Sequence, residues 1–143
     1  MPIVFFIDDS ETSLVSTKIT TQHLMIETKQ YLFAKEALVD IKKGILPDLI
    51  ITDMNMPEMD GMEFLEEIRN IESVKKTPVL MLTTEQKVEL KERGKKLGLT
   101  GWIVKPFNPT QLQAAISRVL RLGWVMYVIG DIHGHLETLK NLV

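Results

Sequence analysis

The 143-residue sequence predicts an α/β fold: a doubly wound, five-stranded parallel sheet built from five βα units, followed by a short C-terminal strand-helix extension. Two observations carry this prediction. Five short runs are almost continuously apolar, without the polar alternation of a half-exposed sheet, as strands covered on both faces require. Between them lie segments whose apolar residues keep helical spacing, so strand and helix alternate along the chain.

The first strand is IVFFI at 3–7. Ser10 can cap a helix running to about His23, with Leu14, Val15 and Ile19 expected to face inward. A short second strand is expected at MIET, 25–28, and a helix follows with Ala34, Ala37, Leu38 and Ile41 on one face. LIIT at 49–52 is the third strand, and Met62, Leu65 and Ile68 mark a shorter helix after Gly61. The fourth strand is PVLML at 78–82. The segment from Glu85 to Leu97 has few apolar anchors, and its interior Gly94 costs about 1 kcal/mol relative to Ala, so a weakly held, mostly exposed helix is expected. GWIV at 101–104 is the fifth strand. The last helix has Asn108 as N-cap, Pro109 at its first position, Gln111 placed for a capping box, and Leu112, Ala115, Ile116 and Val119 inward, to about Leu122.

Composition excludes several classes of function. Lys and Arg number 17 against 19 Asp and Glu, a net charge of −2, so no basic surface points to nucleic acid or an anionic membrane. The absence of Cys removes thiol catalysis and Cys-based zinc sites. No apolar run approaches the roughly 18 residues of a membrane span, and the N-terminus lacks a signal pattern, so a cytoplasmic location is expected.

Polar groups gather just past the strands: Asp8 and Asp9 after the first, Asp53 after the third, Thr83 and Thr84 after the fourth, and Lys105 after the fifth. Ligands of open parallel sheets bind beyond the carboxyl ends of the strands. If the second strand lies at the edge and the other four are consecutive, these groups share one crevice. Three carboxylates brought together repel, and a hard divalent cation resolves this; oxygen-only ligands with room for water favour Mg²⁺ (or Mn²⁺). One carboxylate is then free to act as a nucleophile toward phosphorus, with Lys105 supplying fixed positive charge and Thr83 a hydroxyl donor.

The motifs DDS at 8–10, DMNMPEMDG at 53–61, TT at 83–84 and WIVKPF at 102–107 together resemble those of bacterial two-component response-regulator receiver domains, over about Pro2 to Leu122. MLTTEQ and TGWIVKPFNP are most similar to the stand-alone chemotaxis CheY branch. The resemblance implies the strand order 2-1-3-4-5 that flavodoxin and CheY sheets share. It implies Asp53 as phosphoacceptor, with Asp9, Asp53 and the Asn55 backbone carbonyl holding the metal directly and Asp8 acting through water. Thr83 would bond a phosphoryl oxygen, Lys105 would pair with the phosphate, and the Lys105–Pro106 bond would be cis, against about 5% for X-Pro bonds in general. Thr83 and Trp102 would form the switch, with Trp bulkier than the usual Tyr, and the output surface would be the fourth helix, fifth strand and fifth helix. A histidine kinase is the implied partner, a downstream target protein the implied reader, and catalysis is limited to self-phosphorylation and slow autodephosphorylation.

Simpler readings stand beside these. A lone Asp after a strand is usually a turn or capping residue; matching groups at the other strand ends reverse that weighting. A calcium loop fails because Pro57 and Glu58 fall where a ligand and a Gly are needed. A dehalogenase-type phosphatase wants a second Asp where Asn55 stands, and a docking-only pseudo-receiver is weakened because no expected acidic, Thr or Lys position is missing. Trp102 can also be read as a half-buried aromatic packed on the fifth helix. Lys87, Lys91, Arg93, Lys95 and Lys96, interleaved with Glu85, Glu89 and Glu92, read as a solvated face, and His23 as an exposed helix-end residue.

Residues 123–143 continue with an apolar strand at Met126–Ile129, then GDIHG and a Leu-bearing helical pattern, Leu136, Leu139 and Leu142. This resembles the opening motif of Ser/Thr-phosphatase-type metallophosphoesterases, where Asp131 and His133 would ligate metal. The motifs supplying the remaining ligands do not follow. A truncated phosphoesterase domain joined to the receiver is slightly favoured over a fusion scar, and the apolar extension is expected to dock on the domain or pair with a second copy.

Overall fold

The computed structural model describes residues 1–84 and 87–122. The expected strand at Met126–Ile129, Asp131, His133 and any self-association through the extension lie outside the described residues. The elements are β1 (Ile3–Ile7), α1 (Glu11–Thr21), β2 (Glu27–Tyr31), α2 (Ala34–Lys42), β3 (Leu49–Asp53), α3 (Gly61–Arg69), β4 (Val79–Thr83), α4 (Val88–Lys96), β5 (Gly101–Val104) and α5 (Pro109–Leu122). The strands pair in parallel in the order β2-β1-β3-β4-β5, as expected.

Strand alternation divides the core into two layers. Phe5, Ile7, Ile50 and Met81 point toward α2 and α3, where they meet Ala37, Ile41, Phe64 and Leu65. Val4, Phe6, Ile51, Leu80 and Ile103 point the other way, toward Leu14 of α1 and Leu112, Ala115 and Ile116 of α5. All five residues of β3 and of β4 are buried, which explains their unbroken apolar text.

Two elements depart from expectation. The second strand is not at 25–28 but at Glu27–Tyr31, with Thr28, Lys29 and Gln30 only partly covered. As the edge strand, β2 has one neighbour and needs few apolar residues, while Met25 stays exposed. In α1, Leu14 is buried as expected, but Val15 and Ile19 are 57% and 59% exposed. The covered stripe is instead Leu14, Thr17 and Thr21. Thr17 Oγ1 donates to the Ser13 carbonyl and Thr21 Oγ1 to the Thr17 carbonyl, so these hydroxyls enter the packed face already satisfied.

Helix ends follow local chemistry. Ser10 Oγ accepts from the Ser13 N–H, and Asn108 and Gln111 exchange both bonds of a capping box at 2.9 Å each. Asp60 and Glu63 form a second such box at the start of α3, which fixes that helix directly beyond β3. In α4 only Gly94 is buried; Lys87, Arg93, Lys95 and Lys96 are exposed, as their charge pattern suggested, whereas Lys91 is partly covered.

Candidate functional site

The carboxyl ends of β1, β3 and β5 place four charged groups together. Asp8 follows β1; its N–H donates to the Tyr31 carbonyl of β2, and its Oδ1 accepts from the Ser10 N–H at 2.9 Å. Asp53 ends β3 in register with Leu82, and the next residue, Met54, donates its N–H to the Leu82 carbonyl. Carboxylate oxygens of Asp8, Asp9 and Asp53 lie within 4.8 Å of one another. Asp8 is buried, Asp53 is 9% exposed and Asp9 faces solvent.

Lys105 follows β5 by one residue. Its Nζ is 2.9 Å from Asp53 Oδ1 and 3.9 Å from Asp8 Oδ2. Its N–H donates to the Thr83 carbonyl, tying the β5 end to β4, and the Lys105–Pro106 peptide is cis as the resemblance implied. One positive charge against three carboxylates leaves a net negative cluster. Burial is the main force pushing the Asp8 carboxyl above its usual range; the Ser10 N–H opposes it, the Asp53 charge adds to it, Lys105 opposes and Asp9 adds. A clustered, oxygen-only donor set with one exposed member is what a hard, partly hydrated divalent cation requires, so these residues fit Mg²⁺.

Thr83 is buried at the end of β4, one residue past the Leu82 that pairs with Asp53. Thr84 is exposed and lines an open groove of about 630 Å³ that starts at Asp8 and Lys105 and runs between the hydroxyl row of α1 and Phe107. Asn55 is exposed in the loop between β3 and α3, where Glu58 takes a left-handed φ of 69°. Trp102 does not pack on α5. It is 6% exposed and belongs to the layer facing α2 and α3, with its ring against Gly94 of α4.

One positioning residue escaped the sequence reading. The Gly61 N–H donates to the Met54 carbonyl at 2.8 Å, and a Cβ at this position would stand 2.6 Å from the Asp53 carbonyl oxygen and 2.9 Å from Met54 Cα. Only a glycine lets the first turn of α3 press onto the backbone that carries Asp53. Its signal was a Gly immediately after the capping residue Asp60.

Comparison with known proteins agrees with this geometry. The family profile described as "Response regulator receiver domain" matches residues 4–117. Chemotaxis protein CheY-3 of Vibrio cholerae is 41% identical over 83 residues, covering 58% of this chain and 63% of that protein. Sensor histidine kinase CheAY of Helicobacter pylori is 31% identical over 121 residues, 84% of this chain but 15% of that protein. The matched stretches therefore span less than two thirds of these curated relatives. The structure of chemotaxis response regulator CheY4 of Vibrio cholerae superimposes with a TM-score of 0.77 at 42% identity, covering 84% of this chain and 99% of that one. The profile match ends at residue 117, and these similarities lend the phosphoesterase reading of residues 123–143 no support.

Proposed function

Because this chain belongs to the response-regulator receiver family, a signalling module of two-component systems and not a catalyst of an external reaction, we propose that it is switched by phosphorylation of Asp53 by a histidine kinase. The observation that carries this reading is the Lys105 ammonium held 2.9 Å from the Asp53 carboxylate inside a three-acid cluster at the strand ends.

In the transfer, an Asp53 carboxylate oxygen attacks the phosphorus of a phosphohistidine. The P–O bond forms as the P–N bond breaks, and the electron pair leaves on the imidazole nitrogen of the kinase, which takes up a proton. Such a transfer asks the protein mainly for position and for neutralisation of charge on the phosphoryl oxygens. Asp9, Asp53 and the Asn55 carbonyl would hold Mg²⁺ or Mn²⁺, with Asp8 engaged through water, and the bound cation supplies charge neutralisation among the acids and the incoming phosphoryl oxygens. Lys105 exchanges its contact with the Asp53 carboxylate for one with the phosphoryl group, and the Thr83 hydroxyl donates to a phosphoryl oxygen. The altered β4 end then changes the α4, β5 and α5 face read by a target protein, with Trp102 as part of that linkage. Similarity to CheY-3 and CheY4 supports an output of the chemotaxis type. A cytoplasmic site of action belongs to the same reading and rests on membership of the receiver family.

Incubation with a small-molecule phosphodonor and Mg²⁺, followed by intact mass measurement, tests this reading. One phosphoryl adduct is expected, absent in Asp53→Asn and in chelator. No adduct in the parent protein would refute it.

A further inference from the structure

One polar side chain in β3 has no part in the site as described so far. Thr52, immediately before Asp53, is fully buried, on the sheet face it shares with Ile50. Its register partners are Ile7 of β1 and Met81 of β4, both buried and apolar. Valine has the same shape, suits a strand interior as well, and avoids the cost of burying a hydroxyl. Packing therefore does not account for a threonine here; what its hydroxyl bonds does.

Thr52 Oγ1 donates to the Asp53 main-chain carbonyl at 3.0 Å, and Met56 Sδ lies 3.9 Å away as a weaker acceptor. With one proton to give, the hydroxyl favours the nearer oxygen. The main chain leaving β3 is then held group by group. The Asp53 carbonyl takes the Thr52 hydroxyl, the Met54 N–H donates to the Leu82 carbonyl at 2.9 Å, and the Met54 carbonyl accepts from the Gly61 N–H at 2.8 Å. The Asp53–Met54 peptide plane is thus fixed at both its oxygen and its N–H, and the carbonyl that follows Met54 in the chain is that of Asn55. Of these three bonds, the one made by a side chain is that of Thr52. Met56, on the far side of Asn55, packs against the α2 and α3 core layer, so the Thr52 hydroxyl meets the chain both before and after Asn55.

We propose that Thr52 is a positioning residue whose hydroxyl sets the Asn55 carbonyl relative to the Asp53 carboxylate, and so the affinity of the site for a divalent cation. It acts through the main chain and touches no reacting atom. Removing a group that orients a metal-holding residue lowers affinity by roughly ten- to a hundred-fold. The link to the cation rests on Asp53 and Asn55 holding it, as proposed for the function; the hold on the main chain does not.

Thr52→Val and Thr52→Ser, made in the full chain, test this: Val keeps the shape and loses the donor, and Ser keeps the donor. In chelator, the Met54 and Gly61 amides should exchange roughly ten-fold faster in Thr52→Val, and within about two-fold of the parent in Thr52→Ser. Calorimetric titration should show the Mg²⁺ dissociation constant raised roughly ten-fold in Thr52→Val and restored in Thr52→Ser. With a small-molecule phosphodonor, the Mg²⁺ concentration giving half-maximal adduct formation should rise by the same factor, while the rate at saturating Mg²⁺ stays within about three-fold. A folded Thr52→Val with the parent Mg²⁺ affinity, a Thr52→Ser as weak as Thr52→Val, or a loss confined to the saturating rate would overturn the proposal. A parent protein that binds no Mg²⁺ and forms no adduct defeats the Asp53 reading instead. Exchange in chelator then still decides the hold on the main chain, which unchanged Met54 and Gly61 amides in Thr52→Val would overturn.

Discussion

Gly61→Ala connects packing to the site with a single added methyl. The new Cβ would meet the Asp53 carbonyl oxygen at 2.6 Å, Met54 Cα at 2.9 Å and Met81 Sδ at 3.1 Å. The first two neighbours are backbone of the strand end that carries the nucleophile, so neither can rotate away. Relief to an ordinary contact requires α3 or the end of β3 to move by about 0.8 Å in a packed interior. Overpacking of this kind costs typically 1–3 kcal/mol, and loss of the Gly61–Met54 hydrogen bond adds about 1 kcal/mol. Replacing Gly by Ala in a helix returns at most about 1 kcal/mol, less in the first turn. The net expectation is a loss of about 2 kcal/mol, or about 8 °C in Tm for a domain of this size. Because Asp53 itself is displaced, the rate of adduct formation should fall by about ten- to a hundred-fold even at temperatures where the variant is fully folded. Thermal melts and a time course of intact mass measure the two effects on one sample. A variant with the parent Tm and the parent rate would refute the idea that α3 is set against Asp53 through Gly61.

Further outcomes follow from the acids and the caps. In chelator, the raised carboxyl of Asp8 means that ionisation of this group opposes folding, so its stabilising contribution is present below the ordinary carboxylate range and is lost as pH rises through the raised value. Asp8→Asn, which keeps an oxygen for the Ser10 N–H while removing the buried charge and its repulsion by Asp53 and Asp9, should therefore raise Tm at pH 7 in chelator. Added Mg²⁺ should stabilise the parent more than this variant; a lower Tm for Asp8→Asn in chelator would contradict the electrostatic account. Asn108→Ala removes one acceptor of the α5 capping box and should cost about 1 kcal/mol in denaturant melts, with Asn108→Ser recovering most of it.

How much of this was legible depended on how local the cause was. β1, β3 and β4 were plain in the sequence because both faces are buried and nearly every residue must be apolar. β2 was displaced in the reading because an edge strand tolerates Thr28, Lys29 and Gln30, and the apolar Met25 beside it proved to be exposed. The inward face of α1 was misread because threonines bonded to their own helix carbonyls pack as small apolar residues, leaving Val15 and Ile19 outside. Asp8, Asp9, Asp53 and Lys105 were found because each follows a recognisable strand, and parallel topology brings strand ends together. Arg69, at the end of α3, donates to the backbone carbonyls of Leu97 and Gly98, 28 and 29 positions away, and carbonyls carry no residue-type signal. The packing side of Trp102 was equally hidden, since a strand of four residues gives too few alternations to say which helix its aromatic meets.

Locating the phosphoryl group on the chain tests the central claim most directly. The protein is incubated with phosphodonor and Mg²⁺, the acyl phosphate is trapped by borohydride reduction, and tandem mass spectrometry reads the modified position. Modification is expected at Asp53 alone, with none when Mg²⁺ is withheld. Modification at His23, at the α1 hydroxyls, or undiminished in Asp53→Asn would contradict phosphorylation of Asp53 as the switch.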